Sequence, residues 1–292
     1  MTRILRAATT AALLALLPAG FPARAQVVVE VVGDTAYADI TLADGTETYQ
    51  ADVTIAFDTP ANLTPASLGL DAVLVDPSDP ALAARLPPGL AIDPDFPLLL
   101  TVEPPDLPWV FSSGFEGDAL SGALLFHNTY LIEIHTHDLV YTPGSPYRVL
   151  KAPLGGAFAD VTEDVRAGST RARGRGGAFS QFVVARDSRL PLLVALDKVL
   201  ALELRVLSAV LTDTLRLDLL GLLADVQVAL LVPLVGCNNA LAPLDDFIGE
   251  VQANAGTTIA NTWRAGHDLV NDAGELESLA ATLRFSLLGC AR

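Results

Sequence analysis

The chain has 292 residues, 51% of them hydrophobic and 6% aromatic, with 18 Lys and Arg against 34 Asp and Glu. That apolar fraction excludes a disordered chain, and the length suffices to bury one or two cores. A formal charge of −16 leaves too few cations to displace phosphate counterions, so nucleic acid is excluded as a partner.

The first 25 residues predict a signal peptide. Arg3 and Arg6 form a basic start, residues 7–19 an apolar stretch, and Ala23-Arg24-Ala25 the small-x-small pattern cut on export. The mature chain is then expected to start at Gln26, as a periplasmic or secreted protein. Without Arg3, Arg6 and Arg24, 15 cations face 34 anions, a formal −19. In an oxidising compartment the only two cysteines, Cys237 and Cys290, have one possible intramolecular pairing. Such a bridge closes a loop of roughly 50 residues and stabilises by about 4 kcal/mol in the chain-entropy description.

Composition shifts near Arg189-Leu190-Pro191, which predicts a domain over 26–189 and another over 190–292. In the first, Ala36, Ala38, Ile40 and Leu42 alternate with polar residues. Tyr49, Ala51, Val53, Ile55 and Phe57 do the same. Period two with one apolar face predicts strands that are half in a core, and Asp44-Gly45 between them suits a tight hairpin turn. Further strands are expected at 27–32, 72–76, 97–103, 129–142, 147–151, 158–165 and 178–185. Many short strands with Pro and Gly punctuation predict an antiparallel, immunoglobulin-like β-sandwich.

Residues 190–236 contain 18 leucines, but Asp197, Lys198, Glu203, Arg205, Asp213, Arg216, Asp218 and Asp225 interrupt them. No run approaches the near-continuous apolar stretch of about 20 residues that spanning a bilayer needs, so no transmembrane span is expected after signal cleavage. Helices with a wide buried face are predicted, although Leu202-Glu203-Leu204-Arg205-Val206 also fits a strand. Leu244, Phe247, Ile248 and Val251 recur at helical spacing, as do Leu276, Leu279, Ala280, Leu283 and Leu287. Ile259, Trp263, Leu269 and Val270 suggest another helical turn set, ending at Asn271-Asp272-Ala273-Gly274. The expected fold class is α+β: the sandwich, then a mostly helical domain clamped by one disulfide.

Four segments carry a resemblance. They are Phe111-Ser112-Ser113-Gly114-Phe115-Glu116-Gly117, the run from Ile134-His135-Thr136-His137-Asp138-Leu139 through Ser145-Pro146-Tyr147-Arg148, Gly168-Ser169-Thr170-Arg171-Ala172-Arg173-Gly174, and Phe179-Ser180-Gln181-Phe182. In these the chain resembles an uncharacterised family of secreted proteobacterial proteins. The resemblance implies an exported protein of unknown function and carries over no catalytic residue.

Three of the four histidines, His127, His135 and His137, lie close together. On a strand, Glu133, His135 and His137 share one face, because i, i+2 and i+4 point the same way. A His-x-His pair offers two imidazoles to a zinc ion, with a third ligand from elsewhere. Glu133, His135, His137 and His127 are therefore the candidate metal ligands, and zinc is the one cofactor this pattern admits. Against that, Ile132 and Ile134 look like the core side, which leaves the histidines facing solvent and unoccupied. Arg171, Arg173 and Arg175 form a basic, Gly-rich stretch that suits an anion. Its plainer reading is a hairpin with glycines at the turn and arginines paired to local acids. The acidic clusters at Asp76-Pro77-Ser78-Asp79, Asp93-Pro94-Asp95 and Glu163-Asp164 match no calcium loop, and Trp109 reads as core or as an exposed binding loop. No Gly-x-Ser-x-Gly, Ser-x-x-Lys or His-Glu-x-x-His motif occurs. The leading reading is a non-enzymatic binding or structural protein of the periplasm or cell envelope, with an envelope or extracellular partner. Two others compete with it. One is a metal-binding protein or metal-dependent hydrolase built on the His-x-His strand. The other has the Leu-rich helices enclosing an apolar ligand.

Overall fold

A computed structural model describes residues 26–45, 47–106 and 122–291. The predicted signal segment, residues 111–117 and Trp109 lie outside them. The described residues open with a meander of β1 (Gln26–Val32), β2 (Thr35–Asp44) and β3 (Glu47–Phe57). Gly45 turns the second hairpin with φ 61°, a value that favours glycine, and the Asp44–Glu47 pairing closes it. Short elements follow: β4 (Pro60–Ala61), α1 (Pro65–Leu68), β5 (Leu70–Leu74), α2 (Pro80–Ala83), β6 (Leu90–Ile92) and β7 (Leu98–Val102). Beyond the undescribed stretch come β8 (Leu125–His127), β9 (Tyr130–Thr136), β10 (Tyr147–Ala152), β11 (Ala159–Asp160), β12 (Thr162–Arg166), β13 (Thr170–Gly176) and β14 (Gln181–Asp187).

The strands pair antiparallel in a six-stranded sheet, β1-β2-β3-β9-β13-β12, and a second sheet, β11-β10-β14-β7-β5, with β6 on β14. Inward residues of both sheets, such as Ile40, Val53 and Ile132 from the first and Leu100, Val149 and Phe182 from the second, form one apolar cluster. The other face of the second sheet is also buried: Leu99, Leu150 and Val183 pack with Leu82 of α2. This explains why β2 and β3 alternate while β7 reads Leu-Leu-Leu-Thr-Val, since a strand covered on both faces carries apolar residues throughout. The strand order departs from the four-plus-three arrangement of an immunoglobulin domain. Six strands in one sheet and insertions between β3 and β9 set it apart.

Pro191 then starts α3 (Pro191–Ser208), followed by α4 (Asp213–Leu230), α5 (Gly236–Asn239), α6 (Leu241–Asn254), β15 (Thr262–Arg264) and α7 (Asp272–Cys290). Residues 202–206 are thus helical, and α3 turns Leu202 and Val206 inward. The four long helices bury a second cluster containing Val199, Leu219, Phe247 and Leu283. Cys237 of α5 is joined to Cys290 at the end of α7, Cα to Cα 6.0 Å. None of the helices among the described residues is long and apolar enough to cross a membrane.

The last third is not all helical. Ile259 and Trp263 do not share a helix turn. Instead Thr262–Arg264 forms β15, pairs with β8, and buries Trp263 against Phe126 and Phe179, both at 5.3 Å between ring centroids. Two apolar residues four apart fit a helix equally well, and only the open edge of β8 decides the outcome. Strand β9 ends at Thr136 rather than running to 142. Beyond it, the Asp138 carboxylate accepts the Gln50 N–H at 3.2 Å, which occupies a backbone donor with a side chain instead of a strand. The Arg-Gly stretch is strand throughout, and the turn before it falls at Gly168-Ser169.

Helix α7 is seated on the six-stranded sheet at β12 and β13. Asn271 caps it, accepting from Gly274 N–H at 2.8 Å while its amide donates to Gly177 O at 3.1 Å. A Cβ on Gly177 would lie 2.5 Å from the Glu275 nitrogen, so glycine there allows the backbones to touch. Both lysines of the chain link the helices to the second sheet. Lys151 Nζ meets Glu275 Oε1 at 2.7 Å. Lys198 Nζ meets Asp160 Oδ2 at 2.6 Å and donates to Thr282 Oγ1 at 2.7 Å.

Candidate functional site

The outward face of the six-stranded sheet carries the polar halves of its alternating strands. Register sets Asp52 of β3 opposite His135 of β9, and His135 opposite Arg171 of β13. His137, just past the end of β9, is held by its N–H on Gln50 O at 3.3 Å. These constraints bring both imidazoles to one carboxylate oxygen. His135 Nδ1 lies 2.9 Å and His137 Nε2 3.0 Å from Asp52 Oδ2. One ligand atom from each of Asp52, His135 and His137 falls within 4.8 Å of the others.

A carboxylate only accepts, so the two ring nitrogens facing Asp52 carry the protons when no cation is present. Partial burial raises the Asp52 pKa, but the hydrogen bonds from His135 and His137 outweigh this and hold it below the usual carboxylate range. His135 is 7% exposed, although it points away from the core, while His137 is exposed. The His135 Nε2 is buried with no partner among the described residues.

Two of the other predicted ligands stand elsewhere. Glu133 shares the face but binds Arg171 Nη1 at 3.2 Å and Arg173 Nε. Burial raises its pKa, and the two guanidinium groups more than reverse that. His127 lies in the small β4-β8-β15 sheet, with Nδ1 2.8 Å from Thr262 Oγ1. Asp52, the residue that completes the cluster, has no mark in the sequence beyond its outward parity on β3. Its role depends on β3 pairing with β9 across a long insertion.

The arginine stretch lies one strand over. Arg171 and Arg173 clamp Glu133, while Arg175 reaches Glu163 at 2.9 Å and Glu277 at 3.3 Å. Desolvation lowers the Arg175 pKa, but the surrounding acids raise it above the ordinary value. The guanidinium groups are thus on protein carboxylates. The acidic turns are internally used as well: Asp76 accepts from Ser78 N–H at 2.8 Å, and Asp93 from Tyr147 O–H at 2.9 Å.

A cavity of about 600 Å³ opens at the seam between the second sheet and α7, lined by Phe179, Leu154, Leu279, Lys151, Glu275 and Ser278 among others. It lies at the sheet–helix junction rather than inside the Leu-rich helices. Its charged wall is self-paired: Glu275 takes Lys151 at 2.7 Å and Gly177 N–H at 3.0 Å. Burial pushes the Glu275 pKa up, but Lys151 and its neighbours bring it below normal. Asp52, His135 and His137 are not part of this wall.

A family profile matches residues 12–291. The chain belongs to DUF6689, a family of unknown function. The match covers all three apolar clusters, so the two-sheet body, the helices and the disulfide of this DUF6689 chain lie within a single family unit. No curated protein and no solved structure matches it.

Proposed function

We propose that this protein is an exported, non-enzymatic binding protein of the cell envelope or its surroundings, and that its ligand is a divalent transition metal held by Asp52, His135 and His137. The observation that carries the reading is the convergence of two imidazole nitrogens and one carboxylate within 4.8 Å. Two nitrogens and one oxygen suit zinc and its neighbours rather than calcium or magnesium, which prefer oxygen-only ligands. Three protein ligands leave at least one position for water or an outside donor. The site lies on the outward face of a sheet, apart from the cavity at the α7 seam, and this placement suits binding. Export is supported by the basic-apolar-Ala-x-Ala start and by the Cys237–Cys290 bridge. The predicted units 26–189 and 190–292 then act as a metal-bearing sheet body and a helical support.

The site has the character of an exchangeable one. A metal on His135 Nδ1 moves the ring proton to Nε2, which has no acceptor among the described residues. Metal-bound histidines ordinarily donate that proton to an outer partner, and losing it costs about 10–100-fold in affinity. The test is titration of the purified, metal-stripped protein with Zn²⁺ and Co²⁺, followed by calorimetry and Co²⁺ absorption. One equivalent should bind, with at least tenfold loss in Asp52→Asn and His135→Ala and no loss in Glu133→Gln. Binding that is absent, or equal in the Asp52→Asn protein, overturns the assignment.

A further inference from the structure

Helices α3 and α6 each pack on both α7 and α4, so α4 sits across the bundle from α7 and from the sheet on which α7 rests. The outer side of the α3–α4 pair is apolar. On α3, Leu193, Leu200, Leu204 and Leu207 are all exposed. On α4, Leu217, Ala224 and Val228, with Leu231 just past its end, are exposed at the same spacing, i, i+7, i+11 and i+14. The seven large side chains are between 51% and 77% exposed. The Glu203–Gln227 hydrogen bond, 2.7 Å, ties the two helices one residue before Leu204 and Val228. Gly221 lies in the middle of the α4 stripe, and a Cβ there would meet nothing within 4 Å.

We propose that this face is where two copies of the chain associate, each α3–α4 pair packing on that of its partner. The stripes follow the heptad spacing with which one helix pair packs into another. Gly221 and Ala224 at the centre let the backbones come close. The area fits a second copy. Seven such side chains offer on the order of 700 Å², above the roughly 300–600 Å² of the largest patch on a typical monomer and near the ~800 Å² per partner of a standard interface. Charge argues against a lipid surface. Asp218 and Asp225 flank the α4 stripe, while Asp197, at the α3 position equivalent to Gly221, lies within the α3 stripe and pairs with Arg189 at 3.3 Å. The nearby cations are turned to the protein itself, Arg205 to Asp272 and Arg216 to the carbonyls of Val206 and Leu207. Anionic lipid would be repelled. A second copy is repelled too, but by exposed carboxylates that salt screens. The association is therefore expected to strengthen with ionic strength.

Sedimentation equilibrium of the purified protein tests this at about 0.05 M and about 0.5 M NaCl, a range over which surface charges become largely screened. The expected result is a dimer that tightens several-fold at the higher salt. Leu204→Glu with Leu217→Glu should weaken it at least tenfold without changing the circular dichroism, because both side chains are exposed already. Val140→Glu, at an exposed apolar residue of the β9–β10 loop, should leave it intact. A monomer at both salts, a dimer indifferent to the double substitution, or flotation of the protein with phosphatidylcholine vesicles through this face overturns the proposal.

Discussion

The ion pair of Lys198 and Asp160 offers the sharpest test of what joins the helices to the sheets. Lys198 Nζ is 2.6 Å from Asp160 Oδ2, and both side chains are under 10% exposed, at 8% and 4%. Burial lowers the Lys198 pKa, and the nearby Asp160 only partly reverses this. Asp160→Asn leaves an ammonium group with only Thr282 O and Oγ1 as acceptors. Lys198→Met leaves a carboxylate that still accepts the Thr162 N–H at 2.8 Å. Removing one partner of a buried pair costs about 3–5 kcal/mol, because the other charge stays desolvated. The Asp160→Asn protein should fall at the upper end of that range, since an amide N–H₂ then faces the ammonium. The Lys198→Met protein should fall at the lower end, since Arg148 and Arg189 lie close enough to act on the same group. In the double variant no buried charge is left at this contact, so its cost should be about 1–2 kcal/mol, that of one poorly satisfied amide. Urea unfolding, with the slope m held as a check on two-state behaviour, reads all three values. Additive single effects, or singles within about 0.5 kcal/mol of the parent, refute the view that the pair is a matched desolvated unit.

Three other outcomes follow from the same structure. Because the Asp52 pKa is held below its ordinary value of about 3.9, its stabilising share is complete above that pH and is lost as pH falls through the lower, folded value. Acid unfolding of metal-free Asp52→Asn should accordingly show a shallower limb below about pH 4, and superimposable curves exclude the His135 and His137 contacts in solution. Reducing the Cys237–Cys290 bridge should cost up to about 4 kcal/mol, read as a drop in the unfolding midpoint with and without dithiothreitol, while unchanged midpoints mean that the loop is already constrained. Gly177→Ala should destabilise by about 2 kcal/mol or more, since its Cβ meets α7 backbone at 2.5 Å, whereas Gly249→Ala, on an open helix surface, should stabilise by up to about 1 kcal/mol; thermal melts that rank the two in the other order contradict this docking of α7.

Legibility in the sequence tracked how local each cause was. Alternation on β2 and β3 and the Asp-Gly turn are properties of neighbouring residues, and both were readable. The leucine-rich helices were readable because regularly spaced charges denied a membrane span. Cysteine pairing required only that there be two of them. By contrast, β15 is a strand solely because β8, more than 130 residues earlier in the chain, offers it an edge. Trp263 then joins an aromatic cluster that includes Phe57 and Tyr130. The Asp52–His135–His137 cluster was half legible for the same reason. His135 and His137 advertise themselves by spacing, but Asp52 is one acid among 34 Asp and Glu until the β3–β9 register selects it. Glu133 has the right parity and chemistry, yet β13 places two arginines beside it, and a carboxylate clamped by guanidinium is a poor metal ligand.

The acidity of the chain now acquires a distribution. Both lysines and several of the arginines, including Arg175, Arg189 and Arg205, are turned onto carboxylates within the fold. The unpaired excess of negative charge therefore faces water. A net negative charge favours the approach of a divalent cation to the site proposed at Asp52, His135 and His137. The same field opposes the approach of a second α3–α4 face. Salt screens both effects, so it should act on the two proposed functions with opposite sign, weakening metal capture while strengthening self-association. A titration of each against ionic strength separates these electrostatic contributions from the coordination bonds and apolar contacts, which salt of that concentration hardly touches.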